Sequence, residues 1–123
     1  MEKEKSSLLN KPSKIISTIG CIEEVTIGSD RYLARVDTGA SKNSICKSIV
    51  KKYNLLPLKL ATIKQSNGID RRIVVKLKIK IANRTFKTYF NVSNREKMNY
   101  PILIGRNLLN KNFIIDCKQW TLE

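Results

Sequence analysis

The hydrophobic positions of this chain recur mainly with a period of two, the mark of half-buried β-strands. The pattern is plainest from Arg71 to Ala82, where Ile73, Val75, Leu77, Ile79 and Ile81 face one way and Lys76, Lys78 and Lys80 the other. Asn83-Arg84 turns this strand into another, Thr85 to Val92, carrying Phe86 and Phe90. Earlier, Lys14 to Ile27 is β-branched and apolar, with Gly20 marking a bend or bulge. Gly28-Ser29-Asp30 reads as a turn, and Arg31 to Val36 as the returning strand of a hairpin. Asn43 to Cys46, Leu58 to Lys64 and Phe113 to Asp116 add short strands. Ile102 to Ile104 is wholly apolar, which implies burial on both faces.

Helical spacing is confined to two short stretches. Lys47 to Asn54 places Ile49, Val50 and Tyr53 on one side and is stopped by Pro57. Arg106 to Asn110 fits a single turn. Gln65 to Asp70 is a turn segment containing Asn67-Gly68, and Ser93 to Asn99 is a polar loop. Trp120 is placed to cap the core. Met1 to Ser13 is polar and charged and reads as a disordered tail, leaving 14–123 as one domain. Many short strands between regular turns predict an all-β barrel or sandwich.

Composition narrows the chemistry. With 123 residues, 41% of them hydrophobic, the chain can bury one small core. No apolar run approaches the ~20 residues of a membrane span. Met1-Glu2-Lys3-Glu4-Lys5 lacks the apolar centre of a signal peptide, so the cytoplasm is the expected location and a membrane is not expected as a partner. Three scattered cysteines, no C-x-x-C and no histidine leave no zinc pattern, so neither a metal nor a cofactor is expected. The cysteines read as small buried hydrophobes in a reducing compartment. A net charge of +14 favours anionic partners. The lysines are scattered along strands, and no aromatic RNA-binding pattern or helix-turn-helix is present, so nucleic acid is the least favoured of them.

The candidate chemistry lies in Val36-Asp37-Thr38-Gly39-Ala40-Ser41, where a hydrophobic strand delivers a carboxylate to a tight turn. Thr38 brings a hydroxyl short enough to bond backbone, and Gly39 admits another backbone where a Cβ would clash. Much later comes Tyr100-Pro101-Ile102-Leu103-Ile104-Gly105-Arg106-Asn107-Leu108-Leu109. Asp-Thr-Gly-Ala followed by a hairpin region and apolar-Gly-Arg-Asn-Leu-Leu resembles the retropepsin-like aspartic peptidases. The nearest likeness is to the small bacterial and archaeal branch labelled ATP-dependent zinc proteases. It runs from about Gly20 to Leu122.

That resemblance implies a retropepsin-like closed β-barrel acting as a symmetric homodimer. Peptide hydrolysis by carboxylates needs two in one site, one ionised to take a proton from water and one protonated to polarise the scissile carbonyl. Only one Asp-Thr-Gly is present, so Asp37 of each subunit would meet at the two-fold axis. The resemblance assigns Thr38 to a cross-subunit hydrogen bond and Gly39 to the substrate backbone. Ile104, Gly105 and Arg106 would support the catalytic loop from behind. The hairpin around Asn67, Gly68, Arg71 and Arg72 would be a flap closing over an extended peptide.

Two departures shape the expected specificity. Ala40 cannot give the carboxylate the hydrogen bond that a serine there would, so the pH optimum should lie nearer neutrality than in pepsin-like enzymes. Ser41 and Lys42 stand where retroviral enzymes carry acids, leaving Arg106 to pair with Asp116 or another carboxylate. Lys42, Arg71 and Arg72 would make the cleft basic and suit acidic or glutamate-rich substrates. Relatives of this branch are linked to ATP-grasp ligases that add glutamates to proteins, which makes such a ligase system a candidate partner. Two alternatives remain: a peptide-binding module of the same fold that grips by strand addition without cutting, and a basic β-barrel that binds nucleic acid.

Overall fold

The computed structural model describes residues 15–65 and 68–119. The proposed tail, Asn67 and Trp120 lie outside them. In chain order the strands are β1 (Ser17–Ile19), β2 (Ile22–Ile27), β3 (Asp30–Val36), β4 (Asn43–Cys46), β5 (Lys59–Gln65), β6 (Gly68–Ile81), β7 (Arg84–Ser93), β8 (Ile102–Ile104) and β9 (Phe113–Ile115). Two short helices, α1 (Lys47–Lys52) and α2 (Arg106–Leu109), follow β4 and β8.

Six strands close a barrel in the order β2-β3-β8-β4-β7-β6, with β6 returning to β2 through Val25↔Ile81 and Thr26↔Lys80. Closure leaves no free edge in the barrel itself. Its filling is the inward half of each alternating strand: Val25, Ala34, Ile45, Val75, Phe90, Ile102 and Ile104 have no solvent exposure. Leu108 on α2 plugs the same core.

The long strand β6 does two jobs. Val74 to Ile81 pairs with β7 inside the barrel. Gly68 to Ile73 runs beyond it and pairs only with β5, in a ladder from Gln65↔Gly68 to Lys59↔Val74. Ile73 therefore stays 41% exposed although it continues the alternation of Val75 to Ile81. The strand also begins at Gly68, earlier than the expected Arg71.

Three further details differ from the sequence reading. The β6–β7 turn is Ala82-Asn83, one residue earlier than expected, with φ of 52° and 63°. Both angles are left-handed, as the primed turns of two-residue hairpins require. Chain continuity from 14 to 27 breaks at Gly20-Cys21, and β1 leaves the barrel to pair in parallel with β9. In β8, Ile102 and Ile104 are buried but Leu103 is only partly so, because it points to the outer side of the barrel wall.

Candidate active site

The topology brings together two loops far apart in sequence. β3 and β8 run in parallel, with Val36 opposite Ile104. Parallel neighbours finish at the same end, so Asp37 after β3 and Gly105 after β8 emerge side by side. The Asp37 amide donates to the Ile104 carbonyl at 2.9 Å and fixes the start of the loop.

The Asp37-Thr38-Gly39 turn is held from within and from behind. Gly39 N donates to Asp37 Oδ1 at 2.9 Å, and Ala40 N to the Asp37 carbonyl at 3.2 Å. Arg106 N donates to the Ala40 carbonyl at 2.8 Å and Asn107 N to the Ser41 carbonyl at 3.2 Å. The Arg106 guanidinium donates through Nη1 to the Thr38 carbonyl at 2.9 Å. The expected carboxylate partner for Arg106 is thus replaced by the backbone of the Asp37 loop itself, and Asp116 instead accepts from Lys118 N at 3.0 Å.

Gly105 is sterically required. A Cβ there would lie 2.4 Å from the Lys42 carbonyl oxygen and 2.9 Å from that of Ala40. Its amide donates to Asn43 Oδ1 at 2.9 Å, and Asn43 Nδ2 donates to the Tyr89 carbonyl at 3.1 Å. Asn43 is wholly buried. The sequence assigns it only to a strand; an amide side chain opening a short strand just after the loop was the available signal.

Burial now sets what this loop can meet. Asp37 is half-buried, while Thr38 and Gly39 are exposed. The loop therefore presents its carboxylate, hydroxyl and glycine outward. One chain supplies a single Asp37, and no second carboxylate is hydrogen-bonded to it among the described residues.

The cations expected in one cleft divide between two places. Lys42 lines a cavity of about 360 Å³ on the outer wall with Lys59, Tyr89, Asn107 and Lys111. Arg71 and Arg72 line another of about 240 Å³ with Lys47, Ile73 and Asn94. Gly68 opens β6 with nothing near its Cβ position.

A group that the sequence did not single out joins the second set. Arg35 lies on β3, opposite Leu103 and close in sequence to Asp37. Arg95 donates through Nε to the Tyr100 carbonyl at 3.0 Å. Partial burial holds the Arg95 guanidinium below its usual pKa, and the positive fields of Arg35 and Arg72 push the same way against the opposing influence of Cys46. Arg35 on β3 and Arg72 on β6 thus lie near enough to Arg95, in the β7–β8 loop, for their charges to act on it. Their spread over separate segments hides them from any local motif.

The chain has no histidine, and among the described residues no three Cys, Asp or Glu side chains gather to hold an ion. Among those residues, too, no helix is long and apolar enough to cross a membrane.

The family model of the RimB-like retropepsin-like aspartic endopeptidases matches residues 56–122. The fold is similar to a Legionella pneumophila protein of unknown function, with TM-score 0.65 and 22% identity over 87% of this chain and 98% of that one. It is similar to the simian foamy virus protease, with TM-score 0.59 and 20% identity over 72% of this chain and 91% of that one. A foamy viral protease–reverse transcriptase solved with an RNA/DNA hybrid matches at TM-score 0.58 and 21% identity, over 72% of this chain and 11% of that one. At these identities the likeness is one of fold. No curated protein matches the sequence.

Proposed function

The chain belongs to the RimB-like family of retropepsin-like aspartic endopeptidases, and on that premise we propose that it hydrolyses peptide bonds as a homodimer in which each subunit contributes Asp37. The observation that carries this reading is the outward-facing Asp37-Thr38-Gly39 turn, braced by Gly105, Arg106 and Asn43 yet incomplete in one copy. Two such turns meeting about an axis would place like carboxylates side by side, where they cannot both ionise. One Asp37 then takes a proton from the attacking water while its twin, protonated, hydrogen-bonds the scissile carbonyl. Thr38 of each copy is exposed to reach its counterpart, and Gly39 leaves room for the substrate backbone.

The β5–β6 hairpin serves as the flap. Its strands extend past the barrel, and Leu60 and Ile69 are 67% and 69% exposed, as fits a surface that closes over a peptide. Arg35, Arg72 and Arg95 give the cleft a positive field, so acidic peptides are the proposed substrates. A modification system that adds acidic residues to proteins, such as an ATP-grasp ligase, would supply them.

Asp37→Asn tests the catalytic reading. It removes the proton acceptor without changing side-chain size. Hydrolysis should vanish while binding of an acidic peptide persists. Mixed dimers of wild-type and Asp37→Asn subunits should also be inactive. Full activity of Asp37→Asn would end the reading, and binding without cutting by the wild type would leave the non-catalytic module.

A further inference from the structure

Two thiols meet where the first and last strands of the fold come together. β1 and β9 pair in parallel, with Ser17, Thr18 and Ile19 opposite Phe113, Ile114 and Ile115. The ladder extends one bond further, from Asp116 N to the Ile19 carbonyl at 2.8 Å. Cys21 and Cys117 each lie two residues beyond the last paired positions, Ile19 and Ile115, where both segments turn out of the ladder.

The surrounding backbone holds the two segments in place. The chain after β9 folds around Asp116, whose side chain accepts from Lys118 N and whose carbonyl accepts from Gln119 N, both at 3.0 Å. Gly20 is packed so tightly below it that a Cβ would lie 2.1 Å from the Gln119 carbonyl oxygen. The neighbouring Cys117 thiol, followed by burial, makes Cys21 hold its proton more firmly than an ordinary cysteine. Cys117 is exposed, Cys21 is half-buried, and Cys46 is buried elsewhere, donating to Glu96.

We propose that Cys21 and Cys117 are a redox-sensitive pair that closes to an intramolecular disulfide when the protein meets a hydroperoxide. The exposed Cys117 thiolate attacks the peroxide oxygen, giving a sulfenic acid and releasing water. Cys21 then attacks that sulfur, its proton leaving with the hydroxyl as a second water. Two thiols and one hydrogen peroxide thus become one disulfide and two waters. A dithiol reductant reverses the step. The bridge would fasten the two strands that close the chain's ends and would enclose almost the whole barrel in one covalent loop. It would also sit just behind the catalytic turn, because the Cys21 carbonyl accepts from Val36 N at 2.8 Å. This inference is independent of whether the protein cuts peptides.

The test uses the full chain, purified reduced and treated with equimolar hydrogen peroxide. Intact mass should fall by about 2 Da, the two hydrogens lost on forming a disulfide. Peptide mapping should recover Cys21 joined to Cys117, and dithiothreitol should restore the starting mass. The oxidised form should melt roughly 10 °C or more higher, as a long covalent loop predicts. Cys117→Ser, at an exposed position, should abolish the mass loss, and Cys46→Ser should keep it. A bridge between two chains, a bridge to Cys46, or Cys117 passing to sulfinic acid while Cys21 still alkylates would each overturn the proposal. Should Cys21→Ser fold poorly, Cys117→Ser and the wild-type map decide the matter alone.

Discussion

Asn43 Oδ1 accepts the Gly105 amide at 2.9 Å in a position with no solvent exposure. Its Nδ2 reaches the Tyr89 carbonyl at 3.1 Å. One side chain thereby ties β4 and β7 to the turn that supports Asp37. Replacing it with leucine would leave the buried Gly105 N–H without its partner, at about 1–3 kcal/mol, and remove one donor, at about 0.5–1.5 kcal/mol, from the Tyr89 carbonyl, which also accepts from Asn107 Nδ2 at 3.4 Å. Asn43→Leu should therefore lose roughly 2–5 kcal/mol in urea unfolding, despite being more apolar. A change under about 0.5 kcal/mol would show that water or other groups replace the amide.

Gly105→Ala tests the close approach beside it. The added carbon would meet the Lys42 carbonyl oxygen at 2.4 Å, and that oxygen is backbone, which cannot swing aside. Either α2 or the 40–42 segment must shift, and both hold the Asp37 turn. A shift of about 1 Å at a catalytic group costs on the order of 100-fold in rate. Gly105→Ala should thus lose about that much activity even in the fraction that folds, read as kcat per active dimer.

Stability should have two pH limits arising from one cluster. Tyr53 and Lys52 hold the Asp30 carboxyl below its usual pKa. Its contribution is present above the unfolded value of about 3.9 and is lost as pH falls through the lower folded value. Asp30 in turn raises Lys52, and burial followed by the Asp30 contact raises Tyr53. Those contributions are present below about pH 10 and fade as pH rises through the folded values. Melting temperature should be flat between the limits and fall on both sides. Asp30→Asn should flatten both slopes; profiles that run parallel to wild type would refute the assignment.

How much of this is legible before folding depends on the range of the interaction. Val75 to Ile81 and Phe90 announce their strands because inward and outward positions alternate within one segment. The Asp37 and Gly105 loops are recognisable as motifs, and their adjacency follows once β3 and β8 are seen to run in parallel. Arg106 bonding the Thr38 carbonyl is not legible, since a backbone acceptor leaves no trace in residue identity. Nor is the parting of Lys42 from Arg71 and Arg72, which depends on which side of the barrel wall each strand presents. The Arg35, Arg72 and Arg95 group joins three segments with no shared spacing.

Activity should peak well above the acid range of pepsin-like enzymes. Ala40 has no hydroxyl to offer the Asp37 carboxylate, and in the proposed dimer two like charges side by side could not both ionise. The profile of kcat/KM should be bell-shaped with its maximum above about pH 4. A maximum below about pH 3 would require another donor to the carboxylates.

Reading an acidic substrate should fall to the group formed by Arg35, Arg72 and Arg95. Arg35 lies opposite Leu103, and Arg95 is partly desolvated with Arg72 acting on it. A carboxylate entering this region meets concentrated positive charge, and its bond to a guanidinium is worth about 1.5–3 kcal/mol. That corresponds to a loss of roughly 10- to 150-fold in kcat/KM for an acidic peptide on Arg35→Ala, since each 1.4 kcal/mol is tenfold. A neutral peptide of the same length should be cut equally well by wild type and variant. Arg35→Glu should go further and reverse the preference, because repulsion is added to the lost attraction. Raising salt should shrink the wild-type advantage for the acidic peptide and leave the variant unchanged. Equal losses for acidic and neutral peptides would make Arg35 a residue that positions the loop, with no part in choosing the substrate.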